Sequence, residues 1–355
     1  MTGQDAYARA GVDIDAGERA VELMKPHVAR THRPEVLGGL GGFAGFFDAS
    51  VLKTYRRPVL ATSTDGVGTK VAIAQAMDVH DTIGHDLVGM LVDDLVVVGA
   101  QPWFLTDYIS CGTLVPERIA AVVAGIAGAC EAAGCALVGG ETAEHPGLLA
   151  PDEYDLAGAT TGVVEHDAIL GPDRVHPGDA LVAIASSGLH SNGYSLVRRV
   201  LLQDAGWSLE RHVPELGRAL GEELLTPTTV YAGDLIALLD EVEVHAMSHV
   251  TGGGLADNLA RVLPEGALAR VERDTWTPAP IFDLVQQLGS VPTPDLERTL
   301  NMGVGMVLVL PAGQVDPALA SLAGRGLSAW PCGTVESVAG AGAARVELVG
   351  RHPRG

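Results

Sequence analysis

One junction recurs along this chain and constrains its fold more than any other feature: a short apolar run that passes at once into a glycine-rich segment. It occurs as VLATSTDGVGTK at 59–70, ALVGGET at 136–142, ALVAIASSGLHSNG at 180–193 and VHAMSHVTGGG at 244–254. Apolar runs of this length bounded by glycine read as buried strands. In open α/β sheets ligands bind beyond the carboxyl ends of strands, where glycine lets the backbone come close and helix N-termini offer amides to anions. Glycine accounts for 45 of the 355 residues, about 13% against a usual ~7%, and no G-X-Y period explains the excess. A single such segment reads as a tight turn. Four of them, two carrying a carboxylate and one a histidine, point to loops that cradle a ligand.

The length sets an expectation of two domains at about 150 residues each. From residue 58 onward, short apolar runs alternate with longer amphipathic ones, the pattern of an α/β or α+β protein. The patterning predicts strands at 59–63, 136–138, 157–164, 180–185, 244–247 and 304–310, and helices at 83–99, 119–133, 194–202 and 255–262. Proline, glycine and charge in HDAILGPDRVHPGD at 166–179 mark a domain junction. The chain is accordingly divided into 1–170, 171–340 and a tail at 341–355. The AGAGAA run from Ala339 reads as a flexible linker before one weak strand and a frayed end.

Acidic residues outnumber basic ones 44 to 23, for a net charge of −21. Nucleic-acid and anionic-membrane binders need a basic surface, so neither class fits. An anionic ligand must then be held by backbone amides, a metal ion or a few local cations, and only Lys25, Lys53 and Lys70 are lysines. Cys111, Cys130, Cys135 and Cys332 form no CxxC pair and no zinc-like cluster, and read as buried thiols in a reducing compartment. The N-terminal MTGQDAYARAG lacks the basic-then-apolar plan of a signal peptide, and the most apolar helical run, at 119–130, is too short to span a bilayer. These features predict a cytoplasmic protein.

Three carboxylates stand out. Asp65 directly follows the apolar run VLATST, and Glu141 follows its run through two glycines. In the helix predicted from Ile83, steps of about 100° per residue put Asp94 with Leu87, Leu91 and Val98 at the centre of the apolar face, and turn Asp86 and Asp93 aside. A buried carboxylate without a partner is costly, so Asp94 is expected to meet a metal ion or a specific donor. Oxygen-only ligands favour Mg²⁺, which usually takes one or two carboxylates together with substrate phosphates.

Other motifs fail on inspection. Gly39, Gly41 and Ala44 satisfy G-x-G-x-x-A, but Pro34 and charged residues stand where a Rossmann strand belongs. DGVGTK at 65–70 lacks Walker A spacing, although Lys70 remains a candidate phosphate contact. LHSNG at 189–193 is no nucleophile elbow, because Leu189 replaces its first glycine. His80 and His85 read as surface residues near a helix start. His190, inside a glycine-rich loop before a helix, either serves a phosphate or a proton transfer, or bonds its own backbone.

AGVDIDAG at 10–17, GGLGGF at 38–43, TDGVGTK at 64–70, GGETAEHPG at 139–147, SSGLHSNGYSLVR at 186–198, VTGGG at 250–254 and NMGVGM at 301–306 together resemble the phosphoribosylformylglycinamidine cyclo-ligase family, also called AIR synthetases. The resemblance implies a homodimer with two α/β domains per chain, whose N-terminal domains pair into a shared β-barrel. It implies ATP-dependent ring closure in purine biosynthesis: formylglycinamidine ribonucleotide and ATP give 5-aminoimidazole ribonucleotide, ADP and phosphate, through a phosphorylated formamide. It assigns Asp65, Asp94 and Glu141 to Mg²⁺ at the nucleotide phosphates. Gly66, Gly68, Thr69 and Lys70 are implied along the triphosphate with Gly140 nearby, and GGLGGF, with Gly39, Gly41 and Gly42, is implied to be a flap closing over it. His190, Ser191 and Asn192 are implied to contact the reacting groups or a phosphate, and Gly252 and Gly253 to add backbone donors. The catalytic roles thus fall to His190, Asp94 and Lys70.

The sequence departs from the family at Asp93, usually Asn, at His145, usually Met, and at Leu189, usually Pro. Asp93 adds negative charge beside the implied metal site. Thiamine monophosphate kinase, of the same superfamily, shares the acids and the ATP logic. A nucleotide-binding protein without turnover is the alternative from another class, against which the presence of all three acids speaks. A selenophosphate synthetase would carry a reactive cysteine or selenocysteine in an N-terminal glycine-rich segment, and none precedes Cys111.

Overall fold

A computed structural model describes residues 10–39, 41–337 and 342–353. Leu40 of the glycine-rich flap, the start of the linker at Ala339 and the N-terminal segment to residue 9 lie outside the described residues. The chain divides into two units, one of residues up to Leu95 with Gln101–His166, the other of Val96–Ala100 with Asp167 onward.

The first unit contains α1 (Ile14–Thr31), β1 (Pro58–Gly66), α2 (Ile83–Val96), β2 (Gln101–Cys111), α3 (Pro116–Ala133), β3 (Ala136–Glu144) and β4 (Tyr154–Glu165). Its sheet runs β1-β4-β2-β3, antiparallel except for β2 and β3, which are parallel and joined through α3. Pro116 opens α3, where a missing amide costs nothing, and Gly134 closes it in the left-handed conformation at φ 64°, which turns the chain directly into β3. In β4 the inward positions Tyr154, Leu156, Gly158 and Thr160 alternate with outward Asp155, Ala157 and Ala159. One sheet face is therefore covered by helices, while the other stays open and leaves Leu60 61% and Tyr108 42% exposed.

Several sequence expectations are corrected in this unit. β2 is absent from the apolar pattern because Pro102, Thr106 and Asp107 interrupt it. β3 continues through GGET to Glu144, so Gly139 and Gly140 lie within a strand and not in a loop after one. Asp94 is exposed, whereas Asp86 and Asp93 are fully buried. The helix is packed on two sides, Leu91 against Gly158 of β4 and Gly84 against Gly125 of α3, so its periodicity did not single out the outward face. His80 is also buried, its ring bonded to the Tyr154 hydroxyl at 3.0 Å and to Asp78 at 2.9 Å.

The second unit is built on β5 (Ala180–Ala185), β6 (Ala246–His249), β7 (Ala267–Glu272), β8 (Val304–Leu310), β9 (Ala329–Ser337) and β10 (Arg345–Val349). The order is β6-β8-β5-β9-β7-β10, antiparallel throughout except for β7 with β10. Its core joins Leu181, Ala183, Val307 and Val309 of the sheet to Leu255 and Leu259 of α5 (Gly254–Ala260). The predicted helix at 194–202 begins as α4 (Tyr194–Arg198) and continues into a wider turn to Asp204. The weak strand foreseen in the tail is β10, in register with β7 from Leu268↔Arg345 to Glu272↔Val349 and hence a member of the sheet. Arg273 secures its end: the guanidinium bonds Glu297 of α6 (Thr293–Thr299) at 2.6 and 2.8 Å and also donates to the Leu348 carbonyl. Among the described residues, no helix is long and apolar enough to cross a membrane.

Candidate active site

In the first unit, strand register sets the positions of the acids. Asp65 of β1 and Asp107 of β2 both oppose Gly158 of β4; Asp107 also opposes Gly140 of β3, and Glu141 is the next residue on. Asp65 and Glu141 are exposed, and each accepts from the amide that follows it: Gly66 at 2.7 Å and Thr142 at 3.1 Å. Three strand spacings separate β1 from β3, or ~14 Å at about 4.8 Å each, so one sheet does not bring both carboxylates to one ion. Among the described residues, no group of three or more His, Cys, Asp or Glu side chains is arranged to hold a metal. The set Asp65, Asp94 and Glu141 is thus not assembled as a preformed cage within one chain.

The glycine-rich segment is the loop of a small hairpin, in which Val36 pairs with Phe47 and Leu37 with Phe46. Gly45 packs directly on the Val138 backbone of β3, where a Cβ would lie 2.4 Å from the carbonyl oxygen. A cavity of about 370 Å³ lies between Gly39, Gly41 and Gly42 of this loop and Thr106, Asp107 and Gly140 of the strands. A second, of about 700 Å³, shares Asp107 with the first and is walled by Val21, Met24 and Val28 of α1 together with Val123 and Leu137. Glu144 braces its mouth by accepting from the amides of Asp13, at 2.7 Å, and Leu114, at 2.8 Å. Burial raises the Asp107 pKa to about 7.

Lys70 does not contribute an accessible cation. Its ammonium lies 2.7 Å from Asp86 Oδ1, with both side chains 0% exposed. Burial lowers the Lys70 pKa, and Asp86 opposes that shift. The structure places Lys70, the expected phosphate contact, in an internal ion pair, since a buried charge needs a buried counter-charge. Gly68 and Thr69, just before it, remain at the surface.

In the second unit, three glycine-rich loops converge at one end of the sheet. The SSGLHSNG loop leaves β5 after Ala185 and TGGG follows β6, while NMGVG leads into β8, which is antiparallel to both. Asn301 accepts from the Gly303 amide at 2.9 Å and donates to the Gly188 carbonyl at 2.9 Å. Asn258 of α5 donates to the carbonyls of Thr251, Gly252 and Gly254 at 2.8–3.3 Å. Asn192 Oδ1 is so near Gly252 that a Cβ there would lie 3.6 Å away. His190 sits in the left-handed region at φ 59°, is 2% exposed, and its Nε2 accepts from the Ser187 amide at 3.2 Å. Gly305 admits this ring and Tyr231, since a Cβ would fall 2.8 Å from His190 Cε1 and 2.0 Å from the Tyr231 hydroxyl. The Nε2 bond to the Ser187 amide is the one that the loop-bonding reading of His190 expects.

Asp107, Glu144, Asn258 and Tyr231 escaped the sequence reading. Asp107 and Tyr231 lie in no glycine-rich motif. Asn258 follows TGGG by one helical turn, the spacing at which an amide side chain reaches back to loop carbonyls, and that signal was available.

The two units, with cavities beside a glycine-rich hairpin in the first, correspond to the two domains of a known class of protein. Residues 47–164 match the AIR synthase related protein N-terminal domain, and residues 176–344 match the C-terminal domain of the same class. Phosphoribosylformylglycinamidine cyclo-ligase of Brevibacillus brevis is 50% identical over 94% of this chain and 96% of its own length. That of an Anaeromyxobacter species is 54% identical over 97% and 98%. The chain belongs to the phosphoribosylformylglycinamidine cyclo-ligase family. The fold is shared with thiamine-monophosphate kinase from Stenotrophomonas maltophilia, at TM-score 0.64 and 21% identity over 93% of this chain and 96% of that one. It is also shared with the hydrogenase maturation protein HypE in complex with ATP, at TM-score 0.58 and 22% identity over 98% and 92%.

Proposed function

We propose that this chain uses ATP to close the imidazole ring of formylglycinamidine ribonucleotide, releasing 5-aminoimidazole ribonucleotide, ADP and phosphate. The observation that carries this reading is identity of 50–54% over nearly the whole chain with relatives bearing the cyclo-ligase name. A formamide oxygen leaves poorly; ATP supplies the γ-phosphoryl group that makes it a leaving group. The ribose-linked amidine nitrogen then attacks the formyl carbon and phosphate departs. The protein's part is to position the reactants, offset their charge and exclude water.

The nucleobase is assigned to the apolar wall of α1 and the triphosphate to the end of β1 and the neighbouring face of β3, along Gly66, Gly68, Thr69 and Gly140. Asp65 and Glu141 are exposed oxygen donors of the type that Mg²⁺ prefers, and phosphate oxygens would complete its shell in the absence of a protein cage. Asp94, on the outward side of α2, is the third acid of this reading. The loop with Gly39, Gly41 and Gly42 covers the phosphates. Asn192 and Ser191, with Gly252 and Gly253, take the ribonucleotide, while His190 shapes their loop.

A homodimer joined through the open sheet face fits the exposure of Leu60 and Tyr108, and a partner would supply carboxylates that one sheet keeps apart. The four cysteines are free and buried, which fits a reducing compartment such as the cytoplasm. A coupled assay of ADP release and aminoimidazole formation tests the activity. ATP turnover without ring closure, or with thiamine monophosphate alone, overturns it.

A further inference from the structure

We propose that the second unit carries a zinc-type metal site at the end of its sheet opposite the glycine-rich loops, with His245, Glu243 and His176 as ligands and Asp179 orienting His245. Strand register builds it. β5 and β6 both run antiparallel to β8 between them, so they start at the same end, where Ala180 pairs with Leu310 and Ala246 with Val309. Asp179 and His245 immediately precede these two strands, and their side chains meet, His245 Nδ1 lying 2.7 Å from Asp179 Oδ2. The SSGLHSNG and TGGG loops leave the other ends of β5 and β6, so this cluster is separate from them.

The bonding around His245 is that of a metal ligand. The same Asp179 oxygen also accepts from the His176 amide at 2.8 Å, so it is an acceptor twice over and Nδ1 carries the hydrogen that it receives. Nε2 is then left to offer its lone pair, as in the carboxylate–histidine–metal arrangement. It faces Glu243 Oε1 at 3.5 Å, longer than the roughly 2.7–3.2 Å of an N–H···O bond. Two ligand atoms on one tetrahedral zinc, each about 2.0–2.1 Å from it, lie about 3.4 Å apart. His245 is 8% exposed, while Glu243 is at the surface and leaves a way in. Asp179 and Glu243 both pair with His245, so two carboxylates share one imidazole and their excess charge favours a cation.

The third ligand stands beside this pair. The His176 ring meets that of His245 edge to face, with centroids 5.4 Å apart; two imidazoles on one tetrahedral ion have centroids about 5 Å apart. The His176 backbone is fixed, its amide on Asp179 Oδ2 and its carbonyl accepting from the Asp179 amide at 3.1 Å, but the residue is exposed. No group of three is preformed among the described residues, so His176 turns about its side-chain torsions when the ion arrives, and water completes the shell. Imidazole beside carboxylate suits Zn²⁺, whereas Mg²⁺ takes oxygen ligands. The ion would tie the HPGD turn at 176–179 to the segment that enters β6.

Calorimetric titration of the purified full chain with Zn²⁺, in excess Mg²⁺ to fill oxygen-only sites, tests this. The unaltered chain is expected to bind one Zn²⁺ that His245→Gln loses. Asp179→Asn, which acts through His245, should weaken binding by about 10–100-fold. Glu243→Gln and His176→Ala remove ligands at exposed positions, where the fold does not depend on them, and each should weaken binding by at least about tenfold. Circular dichroism melts confirm that every variant is folded. Co²⁺ in place of Zn²⁺ should give the visible absorption of a four-coordinate nitrogen and oxygen site in the unaltered chain, lost in His245→Gln. No Zn²⁺ binding by the unaltered chain, undiminished binding by His245→Gln, or unchanged affinity in both Glu243→Gln and His176→Ala overturns the assignment. The proposed ring closure stands or falls independently of it, in the assay of ADP release and aminoimidazole formation.

Discussion

The two units present their candidate functional groups by opposite means. In the first, Asp65 and Glu141 stand exposed on strands, each bonded to the amide that follows it. In the second, backbone loops are held in shape by polar side chains that are themselves buried, Asn258 at 4% and Asn301 at 3% exposure. The difference separates function from stability in one unit and joins them in the other. An exposed carboxylate can be changed without disturbing the fold, whereas a buried amide that satisfies three carbonyls cannot.

The largest expected effect tests an exception within the first unit. Lys70→Met leaves Asp86 as a buried charge without its ammonium partner and should cost about 3–5 kcal/mol in urea denaturation. A loss below about 1 kcal/mol, the range of surface pairs, would show that the pair is not the structural element described.

Asp65→Asn and Glu141→Gln come next. Each should lower kcat/KM by on the order of 100-fold with the urea midpoint unchanged. A fall in stability of similar size would erase the contrast between the units. In the second unit, Asn258→Ala should cost about 1–3 kcal/mol and weaken ribonucleotide binding in parallel, because the carbonyls of the TGGG loop lose a shared donor. Weaker binding at full stability would mean that Asn258 belongs with the exposed acids.

The smallest effects are in pH dependence, and the two units should differ in sign. Burial works against ionisation of Glu297, yet hydrogen bonds from Arg273 and His352 carry its pKa from 4.5 to about 2. The folded chain therefore sheds this proton more readily than the unfolded chain, so the stabilisation is present above the unfolded pKa and is lost as pH falls through about 2. Glu297→Gln should flatten that acid limb. Asp107, raised from 3.8 to about 7, keeps its proton longer in the folded chain, so its contribution falls as pH climbs across that interval. Asp107→Asn should remove this slope in denaturation curves measured at successive pH values.

The strands best read from sequence were those buried on both faces: β5 and β8 match the apolar runs at 180–185 and 304–310 to the residue. β2 was hidden because it carries Asp107 and Thr106 in its middle, and its place in the sheet depends on partners distant in the chain. α2 misled for a related reason. Apolar residues on every side of a helix do not identify the outward direction, so the periodicity centres Asp94 on the apolar face and turns Asp86 and Asp93 aside, whereas Asp94 is exposed and the other two are buried. The glycine-rich motifs pointed to the loops that converge in the second unit. They carried no sign that the His190 ring turns back onto the Ser187 amide.

The sequence by itself determined the α/β class, the family and the glycine-rich segments that border the cavities and converge in the second unit. Those properties depend on local pattern, since apolar runs make strands and glycine marks where the backbone must pass close to something. Tertiary structure alone decided which charges are internal and which are offered to a ligand. Burial is set by elements far apart in the chain: Asp86 is drawn in by a lysine on another element, and Asp107 is half-buried between cavities bordered by α1, β3 and a hairpin loop. The glycines that first constrained the fold thus divide into those that form loops and those, like Gly140 and Gly305, that make room for a side chain from elsewhere.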